Sequence, residues 1–398
     1  MSDKKSLLIV LTTGRASFEK AVNSLRKNIS MFSNQDIDVD LLVNYDLTYQ
    51  STLKSDFEKQ IPPLKSGGEI LFAGPDFIKS ADWVCDEEKA LLSRISPLSG
   101  YGQKKNACLL YACRKQYDRL LFWDDDEMAV HITKEGNDTP AWTYSNVIGQ
   151  HVAENSDVSF GFWTGYVSPI PDSFFRDVDQ ETKSQLTQAL SKITDVVSDE
   201  TFFNKDAIFS VPESDQVFGK EIVEENGGKW ISGGNLSLKI DSVKRGLLPG
   251  FFTPTDSRGD DSIFSTRLKF AEVCQVPAGI FHDAFNLLSE ASLANDYERP
   301  GAPDNSESKD LARFAGVLRG WIAYAPLLTL LRGDKDYLQH LSESVDVLKT
   351  CEDKLLSYFG EQWKWPKPSE LLQSYTENLN AELSSYEQTQ DVWRKLAP

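Results

Sequence analysis

Hydrophobic and polar positions along this chain fall in blocks whose period changes. Residues 6–11 (Ser-Leu-Leu-Ile-Val-Leu) form an apolar run that predicts a first strand, followed by the loop Thr12-Thr13-Gly14-Arg15. Phe18, Ala21, Val22, Leu25, Ile29 and Phe32 then recur at helical spacing, which predicts an amphipathic helix. Residues 39–43 read as a second strand ending in Asn44-Tyr45-Asp46, and residues 70–72 as a short third. Residues 104–117 read as a helix, with Ala107, Cys108, Leu110 and Tyr111 on its apolar side. Leu120-Leu121-Phe122-Trp123 follows as a strand apolar on both faces, the pattern of a parallel strand covered by helices. Strand–helix alternation over about 120 residues predicts a doubly wound, Rossmann-like α/β sheet.

The pattern then changes. Val158, Phe160, Phe162, Thr164 and Tyr166 alternate as in a strand with two different faces. Residues 172–226 are polar and charged, with a helical stretch near 180–193, and read as an insertion or lid. Residues 230–240 are strand-like around Gly233-Gly234, and 262–270 read as a helix. The Pro-, Gly- and polar-rich stretch 295–308 reads as a linker. Helices are expected beyond it at 311–331, 337–358 and 369–396.

Composition narrows the function classes. A net charge of −18 on 398 residues argues against holding a nucleic-acid backbone by bulk electrostatics. An anionic ligand would need a local cation. The five cysteines are odd in number and lack paired spacing, which fits reduced thiols better than disulfides or a zinc site. No apolar stretch approaches the roughly 20 residues of a membrane helix, and no signal-peptide pattern opens the sequence. The expectation is a cytoplasmic protein without an integral membrane segment.

The candidate chemistry starts at Asp124-Asp125-Asp126-Glu127, directly after the apolar strand. Ligands of open α/β sheets bind at the C-terminal ends of strands, and clustered carboxylates there call for a cation. Mg²⁺ or Mn²⁺, carrying phosphate oxygens, is the simplest. Three further features follow in chain order: Gly233-Gly234-Asn235, Gly259-Asp260-Asp261 opening a helix, and His282.

In these four features the chain resembles the GT-A glycosyltransferases, especially the nucleotide-sugar-dependent family 2 type. Their DxD looks like Asp124-x-Asp126, their glycine-rich acceptor loop like Gly233-Gly234-Asn235, their acidic pair like Asp260-Asp261, and their late histidine like His282. Gly102, Lys104, Asn106 and Ala107 resemble the helix that precedes the DxD there. The resemblance implies a GT-A catalytic domain over 1–295, with a nucleotide-binding half (1–130) and an acceptor half (131–295). The helices of 308–398 would be an extension able to hold a partner or a second copy.

It also implies roles. Asp124, Asp126 and His282 would hold Mn²⁺ or Mg²⁺. Thr12, Arg15, Asn44, Asp46, Lys104, Lys105, Asn106, Asp124 and Asp125 would bind the nucleotide diphosphate sugar donor. UDP is preferred, since Asp46 suits a uracil imide, with GDP open. Trp163, Gly233, Gly234 and Asn235 would face the sugar and a carbohydrate or other hydroxyl acceptor. Asp261 or Asp260 would take the acceptor proton, giving hexosyl transfer with inversion.

The chain departs from the family in three places. Thr12-Thr13-Gly14-Arg15 replaces the usual first-strand signature, the acidic pair is Asp-Asp instead of Glu-Asp, and no Gln-x-x-Arg-Trp motif is present. The last departure points away from processive synthesis. Two alternatives stay open. A haloacid-dehalogenase-type phosphatase shares an Asp-x-Asp, although Met128 stands where that family has Thr or Val. A catalytically silent GT-A-like binding or assembly protein would keep the fold without turnover.

Overall fold

The computed structural model describes residues 4–32, 36–48, 52–96, 102–135, 139–166, 168–204, 209–210, 218–285 and 307–397. The expected linker therefore lies, up to residue 306, outside the described residues, as do 205–208 and 211–217 of the expected insertion.

The strands are β1 (Lys5–Thr13), β2 (Ile37–Tyr45), β3 (Ile70–Ala73), β4 (Arg119–Asp124), β5 (Glu127–Met128), β6 (His131–Glu135), β7 (Thr139–Thr143), β8 (Val158–Tyr166), β9 (Phe209–Ser210), β10 (Leu236–Lys239) and β11 (Val273–Asp283). The main sheet runs β3-β2-β1-β4-β10-β8-β11-β5, with β9 beside β8, and β6 and β7 form a separate hairpin. Strands β3, β2, β1 and β4 are mutually parallel, as are β8 and β11. β10 is inserted antiparallel between β4 and β8, and β5 lies antiparallel at the edge. The protein is thus an α/β fold with a mostly parallel sheet, flanking helices and a C-terminal helical part, an architecture that fits a GT-A-like fold.

Alternation along β1 builds two cores. Leu7, Ile9 and Leu11 pack with Phe18, Val22 and Leu25 of helix α1 (Glu19–Phe32) and the turn before it. Leu8 and Val10 face the opposite core, with α3 (Asp86–Ile95) and α4 (Lys104–Arg114). Burying one such Leu or Val contributes about 1.5–3 kcal/mol. The remaining helices are α2 (Lys54–Phe57), α5 (Val147–Ala153), α6 (Asp172–Asp177), α7 (Gln180–Leu190), α8 (Ile240–Lys244), α9 (Asp260–Ser265), α10 (Glu307–Leu331), α11 (Tyr337–Phe359), α12 (Pro368–Glu377) and α13 (Leu379–Leu396).

A third core joins segments that read as separate in the sequence. Phe174, Leu186, Leu190, Ile193 and Phe202 pack with Phe314, Leu318 and Ile322 of α10 and with Leu348 and Leu355 of α11. The helical part of the polar stretch is thus packed against the C-terminal helices. Trp393 and Leu396 of α13 join the core under α4.

Several expected boundaries move for local reasons. α4 stops at Arg114 because Gln116 turns left-handed, with φ 60°. The expected strand 230–240 shrinks to β10, since Asn235 also has a positive φ, 46°. The expected helix 369–396 is two helices meeting at Asn378. Ser308–Leu331 corrects the expectation of no apolar stretch of spanning length. It is long and apolar enough to cross a membrane, yet 72% of its most apolar window is buried inside the protein. A helix that is apolar all round is accommodated here as a core helix, wrapped by its neighbours.

Candidate active site

Parallel register brings the ends of β1, β2 and β4 together. Thr12 pairs with Asn44 on one side and Asp124 on the other, at the point where strand order reverses. Thr12 Oγ1 and Asn44 Nδ2 are buried there without hydrogen-bond partners among the described residues. Ser96 Oγ is likewise unpartnered, and it lines a small cavity with Asn44 and Lys104. Buried polar atoms left unpaired are costly, so three near the C-terminal ends of β1 and β2 mark a place for a polar ligand.

The acidic turn is held from below. Asp125 N–H donates to Thr12 O at 3.1 Å, and Thr13 Oγ1 donates to Asp125 Oδ2 at 2.7 Å. Arg15 Nη1 reaches Asp125 Oδ1 at 2.9 Å and Asp126 Oδ2 at 3.0 Å. Burial pushes Asp124 up to about 7, Lys105 opposing and Asp126 and Asp125 adding to it. Burial likewise raises Asp125 to about 6 against the pull of Arg15. Burial would raise Asp126 too, but His282 and Arg15 outweigh it and hold that carboxyl below its ordinary range.

His282 Nε2 lies 3.7 Å from Asp126 Oδ1. Its Nδ1 is 2.6 Å from Tyr166 O, so Nδ1 carries the proton and donates, leaving the Nε2 lone pair facing Asp126. Burial lowers the His282 pKa, which favours the neutral ring. A neutral imidazole with its far nitrogen on a carbonyl, beside an ionised carboxylate, is a donor set that fits two positions of a divalent cation. No group of three His, Cys, Asp or Glu side chains able to hold a metal is found among the described residues. Asp124 therefore does not join Asp126 and His282 in a ready ligand set.

Asp260 and Asp261, adjacent in sequence, part in space. Asp260 Oδ2 accepts from Lys105 Nζ at 2.9 Å, and Lys105 also donates to Gly233 O at 3.3 Å. Burial would lower Lys105, yet Asp260 and Asp124 raise it above its ordinary value. Asp261 instead lines a cleft of about 630 Å³, with Trp163, Trp230 and Trp321 among its walls. Burial, reinforced by the charge of Asp260, pushes Asp261 up to about 7. Gly233 sits against it, where an added Cβ would stand 3.0 Å from Asp261 Oδ2.

Not every expected residue faces the cleft. Asn106 spends its amide on backbone, donating to Ile95 O and Phe251 O at 2.9 Å each and accepting from Phe251 N–H at 2.7 Å. Asn235 is fully buried, donating to Ala278 O at 2.8 Å with Oδ1 3.0 Å from His151 Nε2. Both side chains hold the frame, bonding to backbone and to His151. Asp46 Oδ1 caps its own turn at Thr48, and Lys104 Nζ donates to Tyr45 O at 3.2 Å while lying 3.8 Å from Asp46 Oδ2. Trp163 stacks on His282, ring centroids 5.8 Å apart.

Glu127 is a residue the sequence reading passed over as the last of an acidic run. It is 1% exposed, and its Oε2 accepts from Asp124 N–H at 3.0 Å and Asn235 N–H at 3.1 Å. An added Cβ on Gly234 would sit 2.1 Å from Glu127 Oε1, so a side chain there would have to displace the Glu127 carboxyl. One carboxyl thus clamps the acidic turn to the glycine loop. Asp195, from the polar stretch, accepts from Tyr324 Oη at 2.8 Å and Ser262 Oγ at 2.6 Å, joining α10 to α9. The positive charge of Arg313, on α10, acts on both Asp126 and His282. No local motif marks these two, because each comes from a distant segment.

The chain matches no protein-family model and no curated protein. Among solved structures it is similar to S. aureus TarS 1–349 in complex with UDP-GlcNAc, at 13% identity and TM-score 0.33, over 95% of this chain and 92% of that one. The UDP complex gives 12% identity and TM-score 0.32, over 94% and 91%. A longer TarS chain gives 13% identity and TM-score 0.31, and this chain spans 55% of it. At that distance no residue role passes from those chains to this one.

Proposed function

We propose that this chain is a glycosyltransferase that moves a sugar from a nucleotide diphosphate sugar to a hydroxyl acceptor, with UDP the first nucleotide to test. One observation carries the reading. The Gly233–Gly234 loop has Asp261 against one glycine and the Glu127-clamped acidic turn against the other. A candidate base and a candidate diphosphate site thus flank a loop whose backbone a sugar can approach closely.

In this reading Thr12, Asn44 and Lys104 receive the nucleotide at the C-terminal ends of β1 and β2. Arg15 orients Asp125 and Asp126, and Asp126 with His282 would hold Mn²⁺ or Mg²⁺. Such a cation would offset negative charge on the leaving diphosphate. Asp261, ionised, accepts the acceptor's hydroxyl proton. The acceptor oxygen forms its bond to the anomeric carbon as the bond from that carbon to the phosphate oxygen breaks. The nucleotide diphosphate departs with the electron pair, and the configuration inverts. Asp260, neutralised by Lys105, keeps the pair from carrying two free charges.

Thermal denaturation with UDP, GDP and other nucleotide diphosphates, with and without Mn²⁺, tests the donor site. A ligand of the folded state at 100 times its Kd stabilises by about 2.7 kcal/mol. The expected result is a metal-dependent shift with one nucleotide that Asp126→Ala removes, followed by nucleotide release with a matching sugar donor. No shift with any nucleotide under either condition would overturn the reading.

A further inference from the structure

The cleft beside Asp261 is walled on one side by the C-terminal helix α10. Gly316, Val317, Gly320, Trp321 and Tyr324 all line it, and their spacing puts them on one helical face. Glycine inside a helix costs about 1 kcal/mol relative to alanine. Close packing does not account for either one. A Cβ on Gly316 would meet nothing within 4 Å, and one on Gly320 would meet Arg258 N at 3.9 Å. What the two glycines leave is room inside the cleft.

A second observation points to a ligand there. Trp163 lines the same cleft, and its Nε1 is buried without a hydrogen-bond partner among the described residues. An indole N–H left dry and unpaired in a wall of the cleft is costly unless a partner reaches it. The cleft carries the carboxylates of Asp195 and Asp261 against Arg258, on a chain of net charge −18. This balance disfavours an anionic occupant. Indole walls, an orphan N–H and an acidic rim suit a neutral sugar ring, whose C–H face packs on aromatics while its hydroxyls find polar partners. Asp195 ties Tyr324 of α10 to Ser262 of α9, so this wall stands at a set position relative to Asp261.

We infer that the cleft is the acceptor site for a neutral pyranose, with α10 as one wall and Gly316 and Gly320 leaving the space the ring occupies. The inference rests on the glycosyltransferase reading for its chemistry, but its binding can be read without any nucleotide. Saturation-transfer NMR of methyl pyranosides (gluco, galacto and N-acetylglucosamine forms), with glycerol 3-phosphate as the anionic comparator, is the direct test. Gly316→Leu and Gly320→Leu place a side chain in the space, and a thermal melt checks that each folds. Gly316→Ala, whose Cβ meets nothing, keeps the test open if a leucine variant does not fold.

The expected result is a signal from at least one pyranoside and none from glycerol 3-phosphate. Both leucine variants should weaken it about tenfold or more. In transfer assays the acceptor KM should rise by a similar factor, with the donor KM moving less than about twofold. Pyranoside signals that survive in folded leucine variants would overturn the inference, as would binding of glycerol 3-phosphate alone. A missing nucleotide shift with pyranoside binding intact would instead sink the glycosyltransferase reading and leave the sugar site standing.

Discussion

Lys105 Nζ lies 2.9 Å from Asp260 Oδ2, and the two side chains are only 6% and 9% exposed. The ammonium also sits 5.4 Å from the Phe122 ring centroid and 5.2 Å from that of Phe251. This buried pair gives two adjacent aspartates different tasks. Asp260 is bound to the helix that carries Lys105, and Asp261 is left to face the cleft.

The pair can be tested by breaking it. Lys105→Met leaves Asp260 as an unpaired buried carboxylate and should cost about 3–5 kcal/mol in urea denaturation. Adding Asp260→Asn should recover most of that loss, because the stranded charge is gone. A Lys105→Met protein as stable as wild type would show that the pair carries no weight.

Asp261, pushed up to about 7 by burial and then by Asp260, sets a pH dependence. A general base works ionised, so transfer should fall about tenfold per pH unit below about 7. The sign for stability is opposite. A carboxyl raised in the folded state binds its proton there first, so Asp261's contribution grows as pH falls from about 7 towards the unfolded value near 3.9 and then levels off. Asp261→Asn should lower transfer about 10²–10⁴-fold and leave no such limb in a pH–rate profile. Full transfer by Asp261→Asn would remove the assignment.

How much of this was legible depends on what each residue's neighbours are. The apolar residues of the runs that became β1, β2 and β4 are buried, so their apolar character survives without context, and the acidic turn after β4 stands out against it. β10 did not stand out as a short strand. Leu236 and Leu238 alternate with polar residues, and β4 and β8 on either side define the pairing. Phe174, Leu186 and Leu190 were hidden among polar neighbours because their partners lie more than 100 residues later, on α10 and α11. Asn106 and Asn235 show what a motif leaves open. The same amide can bridge backbone or bind a ligand, and only the fold distinguishes the two.

Glu127 offers a contrast between charge and hydrogen bonding. Burial first, then Asp124, raises its carboxyl well above the ordinary range, while two backbone N–H groups point at Oε2. Glu127→Gln keeps an acceptor oxygen for both and should change stability by less than about 1 kcal/mol. Glu127→Ala strands both donors and frees the acidic turn from the glycine loop. It should cost on the order of 3 kcal/mol and lower transfer more than donor binding. Equal behaviour of the two variants in melts and assays would dismiss the clamp.

Asn106 separates a structural from a binding role most cleanly. Its amide serves three backbone groups, on Ile95 and Phe251, at 2.7–2.9 Å, and its side chain is wholly buried. Asn106→Ala leaves those groups without their partner, at about 1–3 kcal/mol for each that stays dry. The expected outcome is a protein destabilised by several kcal/mol whose remaining folded fraction binds nucleotide with unchanged Kd. Isothermal titration well below the melting temperature reads the Kd, and urea denaturation reads the stability. A weakened Kd with stability intact would put Asn106 in the donor site, because a residue that only braces backbone cannot act on the ligand without first loosening the fold.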